Sequence, residues 1–286
     1  MEQNHWGKLL PLVAGALLTL CGAACSKQTL PPTGMVTPAV GPEGSQAIST
    51  FHLVSHSPTG RKKWEVQGET AQLLGNKIKL SPVAATSFGQ VEVHLTAKRG
   101  QFERVSQNVH LEEDVVVTTA DGSRLESQML DWDQKADRAT TPEPVKITRV
   151  GLTADGIGAV GYPKLKRVRL ERQVTVILDD TEGRTVITCD GPMEVDYGRQ
   201  KARFWRNVHV RDSKGRIDSD RLDVALDPES RQVESATFWG HVRIHHQGKV
   251  AYAHRANYWQ ALGQVRLVGH PKLVMTPEEA KGFEQR

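Results

Sequence analysis

The feature that most constrains this chain is a short step pattern written seven times: an apolar residue, then a small or apolar one two positions on, three on, and two on. It reads Val66-Gly68-Ala71-Leu73, Leu95-Ala97-Gly100-Phe102, Leu125-Ser127-Leu130-Trp132, Leu152-Ala154-Ile157-Ala159, Val186-Thr188-Gly191-Met193, Ile217-Ser219-Leu222-Val224 and Ala251-Ala253-Ala256-Tyr258. Successive starts differ by 29, 30, 27, 34, 31 and 34 residues, the spacing of a tandem array. Strand side chains alternate faces, so a step of three throws the second pair onto the opposite face unless a bulge in the middle restores it. Seven pairs kept on one side predict a strongly curved sheet wrapped around an apolar interior.

A partner strand upstream serves the same interior through Val115-x-Val117, Val174-x-Val176, Val208-x-Val210 and Val242-x-Ile244, with Leu111, Leu170, Phe204 or Phe238 four residues ahead. Between each of these pairs and the next motif stands a glycine turn, at Asp121-Gly122, Glu182-Gly183, Lys214-Gly215 and Gln247-Gly248, which is the mark of antiparallel hairpins. Abundant Val, Ile and Thr, 25 Gly, and no long Ala/Leu/Glu/Lys stretch agree. The expected class is all-β, an antiparallel β-jellyroll built as a half-open stack of hairpins. A parallel β-solenoid is the alternative array, and regular X-Gly hairpins argue against it. The predicted lining is Leu95, Phe102, Val115, Val117, Leu125, Trp132, Val208, Val210, Ile217, Leu222, Val224, Val242, Ile244 and Tyr258.

Ahead of the array stands an address. Residues 1–8 end in Lys8, Leu9 to Leu20 form a mostly apolar run, and Gly22-Ala23-Ala24-Cys25 supplies small residues before a cysteine. Three outcomes fit: a lipoprotein signal cleaved so that Cys25 is acylated, an uncleaved anchoring helix, or simple secretion. Residues 1–25 are assigned to this signal or anchor. Residues 26–48, rich in Pro and Gly, read as a flexible tether, and 276–286 as a polar tail. After cleavage only Cys25 and Cys189 remain, so no disulfide framework is expected and the core must hold the fold.

Lys and Arg number 37 against 33 Asp and Glu, a balance of +4 that is too small for phosphate-backbone binding, so no nucleic-acid partner is expected. Gly156-Ile157-Gly158-Ala159-Val160-Gly161 matches a dinucleotide fingerprint, but Tyr162-Pro163 follows it without a helical period, and the glycines read as a bend. No cofactor is expected. His241, His245 and His246 lie close together, and on a strand His241 and His245 would share a face, but metal ligation would need a third ligand, so they read as a solvated strand face and no metal is expected. Asp131/Asp133, Asp179/Asp180 and Asp218/Asp220 alternate with motif residues and read as the wet side of strands rather than an acid-base pair. Lys164, Lys166, Arg167, Arg169 and Arg172 form the strongest basic cluster, read as a solvated face with headgroup phosphate contact as its functional alternative. With no Ser-His-Asp, HExxH or CxxC arrangement, an enzyme is not expected.

VHLEEDVVVTTADGSRLESQMLDWD at 109–133, with Thr141, Pro142 and Pro144-Val145-Lys146-Ile147 after it, resembles the LptC family of lipopolysaccharide export. FWRNVHVRDSKGRIDSDRLDVAL at 204–226, FWGHVRIHHQGKVAYAHRANYW at 238–259 and VRLVGHPKLVM at 265–275 are similar to its OstA-like relative, LptA. The resemblance implies an LptC-like jellyroll over 49–178 and an LptA-like one over 179–275. It further implies a periplasmic bridge tethered to a membrane of the bacterial envelope, with the predicted lining as a groove for lipopolysaccharide acyl chains. An inner-membrane ABC transporter and a further OstA-like domain at the C-terminal edge strand are the implied partners. An envelope-attached β-solenoid that binds or cleaves polysaccharide is the competing expectation.

Overall fold

The computed structural model describes residues 45–274, apart from 58, 89–91, 121, 134, 163–165, 181–182 and 229–231. Cys25, the N-terminal address and the polar tail lie outside the described residues, as do Asp121, Lys164 and Glu182. The chain forms two compact units. One holds the described residues up to Val145 together with Val160–Lys166; the other holds Lys146–Ala159 and the described residues from Arg167 onward.

In the first unit β1 (Ser45–His56) pairs antiparallel with β2 (Lys62–Leu74), and β2 pairs with β3 (Lys77–Ser81) and β4 (Val83–Phe88). These two pair with β6 (Arg99–Glu103) and β5 (Glu92–Ala97), which both meet β7 (Val109–Thr119), and β7 meets β8 (Arg124–Asp133). β9 (Arg138–Arg149) and β10 (Leu152–Tyr162) contribute residues to both units. In the second unit β11 (Arg167–Asp180) pairs with β12 (Gly183–Cys189) and β13 (Met193–Asp196), and both pair with β14 (Lys201–Arg211). The ladder continues through β15 (Gly215–Leu226), β16 (Val233–His246) and β17 (Lys249–Trp259) to β18 (Gln264–Val268) and β19 (Lys272–Val274). These pairings are all antiparallel, which bears out the jellyroll class and removes the parallel solenoid. The short strands are halves of long ones: β3 with β4, β5 with β6, β12 with β13, and β18 with β19 each cover one neighbour end to end.

The bulge demanded by the step of three sits on the partner strand. Glu112 faces Met129 and Val115 faces Ser127, so β7 sets Glu113 and Asp114 against Gln128 alone. Both residues are left-handed, at φ 61 and 51. β14 repeats the device with Arg206 (φ 65) and Asn207 (φ 51), and β16 with Gly240 (φ 70) and His241 (φ 43). In β1 and β11 the register instead runs one to one past single left-handed residues, Thr50 and Gln173, while Pro82 and Pro144 stand at the equivalent places ahead of Val83 and Val145. Proline lacks the N–H that an unbroken ladder would use. Neighbouring strands meet the displaced backbone groups: Lys98 N–H donates to the Glu113 carbonyl and Asp190 N–H to that of Arg206.

Each kink turns the following residue inward. Phe51, Val83, Val115, Val145, Val174, Val208 and Val242 are all buried, with Val115 and Val208 at 0% exposure. The fifth motif copy needs a correction, because Ile187 and Cys189 face the interior, rather than Val186 and Thr188. Their cross-strand partners are Val176 and Val174, already inward, and these set the phase. Gly156 sits within β10, where a Cβ would press to 3.3 Å from Leu170 Cβ, so this glycine serves close packing, while Gly158 (φ 75) takes the left-handed backbone in the same strand.

Left-handed backbone costs a β-branched residue most. Gln173→Val should therefore unfold at lower urea than Gln173→Gly, with a gap of about 1–2 kcal/mol between the two. Equal midpoints would show that the kink carries no strain.

Candidate functional site

Cross-strand register turns the inward residues into rows running perpendicular to the strands. In the first unit one row is Leu53, Val66, Ala85, Leu95, Val117 and Leu125, and another is Leu73, Ile78, Phe102, Val109 and Trp132. Between them lie Ile48, Ala71, Leu80, Gly100, Leu111 and Leu130. In the second unit Val176, Ile187, Val210, Ile217, Ile244, Ala251 and Leu273 form one row. Leu170, Met193, Phe204, Leu222, Phe238, Ala256 and Leu267 form the next. Val168, Val195, Ala202, Val224, Ala236, Tyr258 and Val265 complete the set.

All fourteen predicted lining residues are therefore inward on their strands, six in the first unit and eight in the second. Val115, Val208 and Val242 sit at the kinks, between rows. Sequence reasoning missed Ile187 and Cys189, whose segment carries apolar residues on both faces. Small residues recur inside the rows, so that Phe238 meets Ala256 and Val224 meets Ala202 and Ala236. That alternation fills a narrow space without clashes. The rows lose cover at the edges: Ile48 and Leu53 on β1 are both 53% exposed, and Val265 and Leu273, on β18 and β19, are 44% and 54% exposed.

The other motifs resolve onto the outer face. Asp131 binds His110, Asp179 pairs with Arg184, Asp218 with Arg216, and Asp220 with His241. Asp133 accepts the Ala136 N–H. In the basic segment Arg169 pairs with Glu171, and Arg167 lies 4.0 Å from Glu194, while Leu170 between them is buried. Among the described residues no group of three or more His, Cys, Asp or Glu side chains is arranged to hold a metal. Trp205, Arg221, Trp239 and Arg255 form an outward ladder in which the Arg255 guanidinium lies 5.1 Å from the Trp239 ring centre and Trp239 Nε1 donates to Asp223. Arginine thus covers an indole face that a sugar-stacking platform would leave bare.

Residues 47–179 match the family model described as lipopolysaccharide-assembly, LptC-related. Residues 190–284 match the model of the LptA/(LptD N-terminal domain) LPS transport protein. No curated protein matches the chain.

The outer face of the first unit carries a linked ion network. His110 Nδ1 lies 2.5 Å from Asp131 Oδ1 and Nε2 lies 2.9 Å from Glu112 Oε1, and Arg99 reaches Glu112 and Glu113. Burial pushes the His110 pKa down, but the hydrogen bonds to Asp131 and Glu112 outweigh it and raise the value above the ordinary 6.5. The charged imidazole is therefore the stabilising form, complete below pH 6.5 and lost as pH rises through the folded-state value. His110→Gln should cost more stability at about pH 5.5 than at about pH 8.5 in urea melts, and a pH-independent cost would remove the network from the account.

Proposed function

We propose, for a chain that joins an LptC-related module to an LptA/LptD N-terminal-like one, that it is a periplasmic component of lipopolysaccharide transport whose apolar rows carry acyl chains. The observation that supports this best is the continuity of the rows. Each strand adds one apolar or small side chain at the spacing of about 4.8 Å between neighbours, without a charged residue in any of the second unit's rows.

Burying a methylene is worth about 0.8 kcal/mol, so a chain of about a dozen carbons gains on the order of 10 kcal/mol in such a slot. A carrier with an isolated pocket would release that chain slowly. Along a row, each apolar contact is exchanged for a similar one, and the barrier per strand stays small. Sugars and phosphates stay in water at the turns. The work would come from an inner-membrane ABC transporter, with this chain as the conduit. Attachment through an acylated Cys25 or an N-terminal helix remains part of this reading; among the described residues no helix is long and apolar enough to cross a membrane.

The edges supply the partner argument. β1 pairs only with β2 among the described residues, and β18 and β19 only with β17, so unpaired backbone groups stand beside the exposed ends of the rows. An OstA-like domain added to the C-terminal edge by β-augmentation would extend both the ladder and the apolar rows.

A photoreactive amino acid at Trp132 or Val224 should form lipopolysaccharide adducts in cells. Val224→Asp, which sets a carboxylate between Ala202 and Ala236, should cut lipid passage sharply while expression holds. Absent adducts at both positions, or unchanged passage in the variant, would overturn the lining. Val265→Pro and Leu267→Pro should abolish binding of a separately expressed OstA-like domain with little loss of melting temperature, because both lie on an edge strand. Folded variants that bind at wild-type affinity would exclude pairing through this edge.

A further inference from the structure

The outer face of the second unit carries a cationic feature that the transport reading leaves unused. The β14–β15 and β16–β17 turns lie side by side because β15 pairs with both β14 and β16. Together they wall a cleft of about 430 Å³ whose lining includes Arg211, Asp212, Lys214, Arg216, His245 and Lys249. Register places Arg211 opposite Arg216 and Arg216 opposite His245, three basic side chains abreast on adjacent strands. Like charges directly opposite each other destabilise an antiparallel pair.

Of the nearby carboxylates, Asp212 is taken up by its own turn and Asp218 offsets one cation of the cleft, Arg216. Asp212 Oδ1 accepts the backbone N–H groups of Lys214 and Gly215 at 2.7 and 2.8 Å, closing its own turn. Asp218 takes Arg216 Nε and His209 Nδ1, each at 2.6 Å. No carboxylate pairs with Arg211 or Lys249 among the described residues. His246 Nδ1 donates to the Lys214 carbonyl at 2.8 Å, a bond that ties one turn to the other and holds the cleft's walls together. The result is a braced site with surplus positive charge and room for a group larger than a single ion.

Its position indicates the ligand. Arg211 and Arg216 are next in sequence to Val210 and Ile217, members of the apolar row nearest these turns, and stand on the outer face of the same strand ends, where a head that rounds the turns reaches them. An amphiphile with a chain along that row brings its polar head to the turns, where the cations stand. We propose that this cleft binds a phosphate carried on the sugar head of the lipid whose acyl chains occupy the rows. The proposal rests on the lipid-transport reading and adds the headgroup chemistry to it. Guanidinium and ammonium groups spread over two turns suit a phosphate with several acceptor oxygens.

The test uses the full chain and two acylated disaccharide lipids, one phosphorylated and one phosphate-free, titrated against wild type, Arg211→Gln/Lys249→Gln and Val224→Asp. Wild type should prefer the phosphorylated lipid by about tenfold at low salt, a preference that falls as salt rises. The double variant should lose that preference, keep its affinity for the phosphate-free lipid and melt like wild type. Equal affinity of wild type for the two lipids, or a preference retained in the double variant, overturns the headgroup site. Inorganic phosphate bound as tightly as the phosphorylated lipid overturns it too, assigning the cleft to a free anion. Failure of the transport reading looks different: neither lipid binds wild type, or Val224→Asp leaves both affinities unchanged.

Discussion

The left-handed kink in the middle of each partner strand is the constraint on which the rest depends. A strand alternates faces, so on a motif strand the step of three, as from Ser127 to Leu130, would by itself send the two halves to opposite sides. Opposite it β7 takes a step of four, from Leu111 to Val115, with Glu113 and Asp114 set against Gln128 alone, and both strands keep their apolar residues on the same interior. The kink also increases local twist and curvature, which lets one ladder enclose its own core without a second layer of helices. Curvature, burial and the continuity of the rows thus follow from a few residues with positive φ.

Those kinks were only partly legible in the sequence. The 2-3-2 step announced a phase problem, but its place on the motif strand concealed that the partner strand resolves it. Asp114, Asn207 and His241 stand directly before the fully inward valines, and Asp, Asn and His are among the residues that tolerate left-handed backbone. Thr50 and Gln173 advertise nothing of the kind. The slip in the fifth copy has a similar origin, since Val186, Ile187, Thr188 and Cys189 put plausible interior residues on both faces. Only the register with Val174 and Val176 decides between them. The basic cleft was hidden for a different reason. Arg211 and Lys249 are brought together by two hairpins, whereas a linear scan favours the contiguous charges of 164–172.

Among the described residues the core holds without a cross-link. Cys189 is buried and free, and burial raises its thiol pKa, with backbone hydrogen bonds from Gly191 and Trp205 only partly opposing that shift. Val, Leu and Phe make up most of the buried apolar residues, with Ala as the small member at several cross-strand contacts. The outer ion pairs, mostly solvent-exposed, set local geometry more than they contribute stability.

Because each hairpin in a ladder of this kind hydrogen-bonds only to its immediate neighbours, the second unit is quasi-one-dimensional. Its energetics reduce to a term for each hairpin plus a coupling between adjacent ones, as in a chain of interacting spins. Inserting or deleting one kinked hairpin leaves every other interface chemically unchanged. Evolution can therefore lengthen such a ladder in quanta of about 9–10 Å, two strand spacings at a time, without redesigning a core.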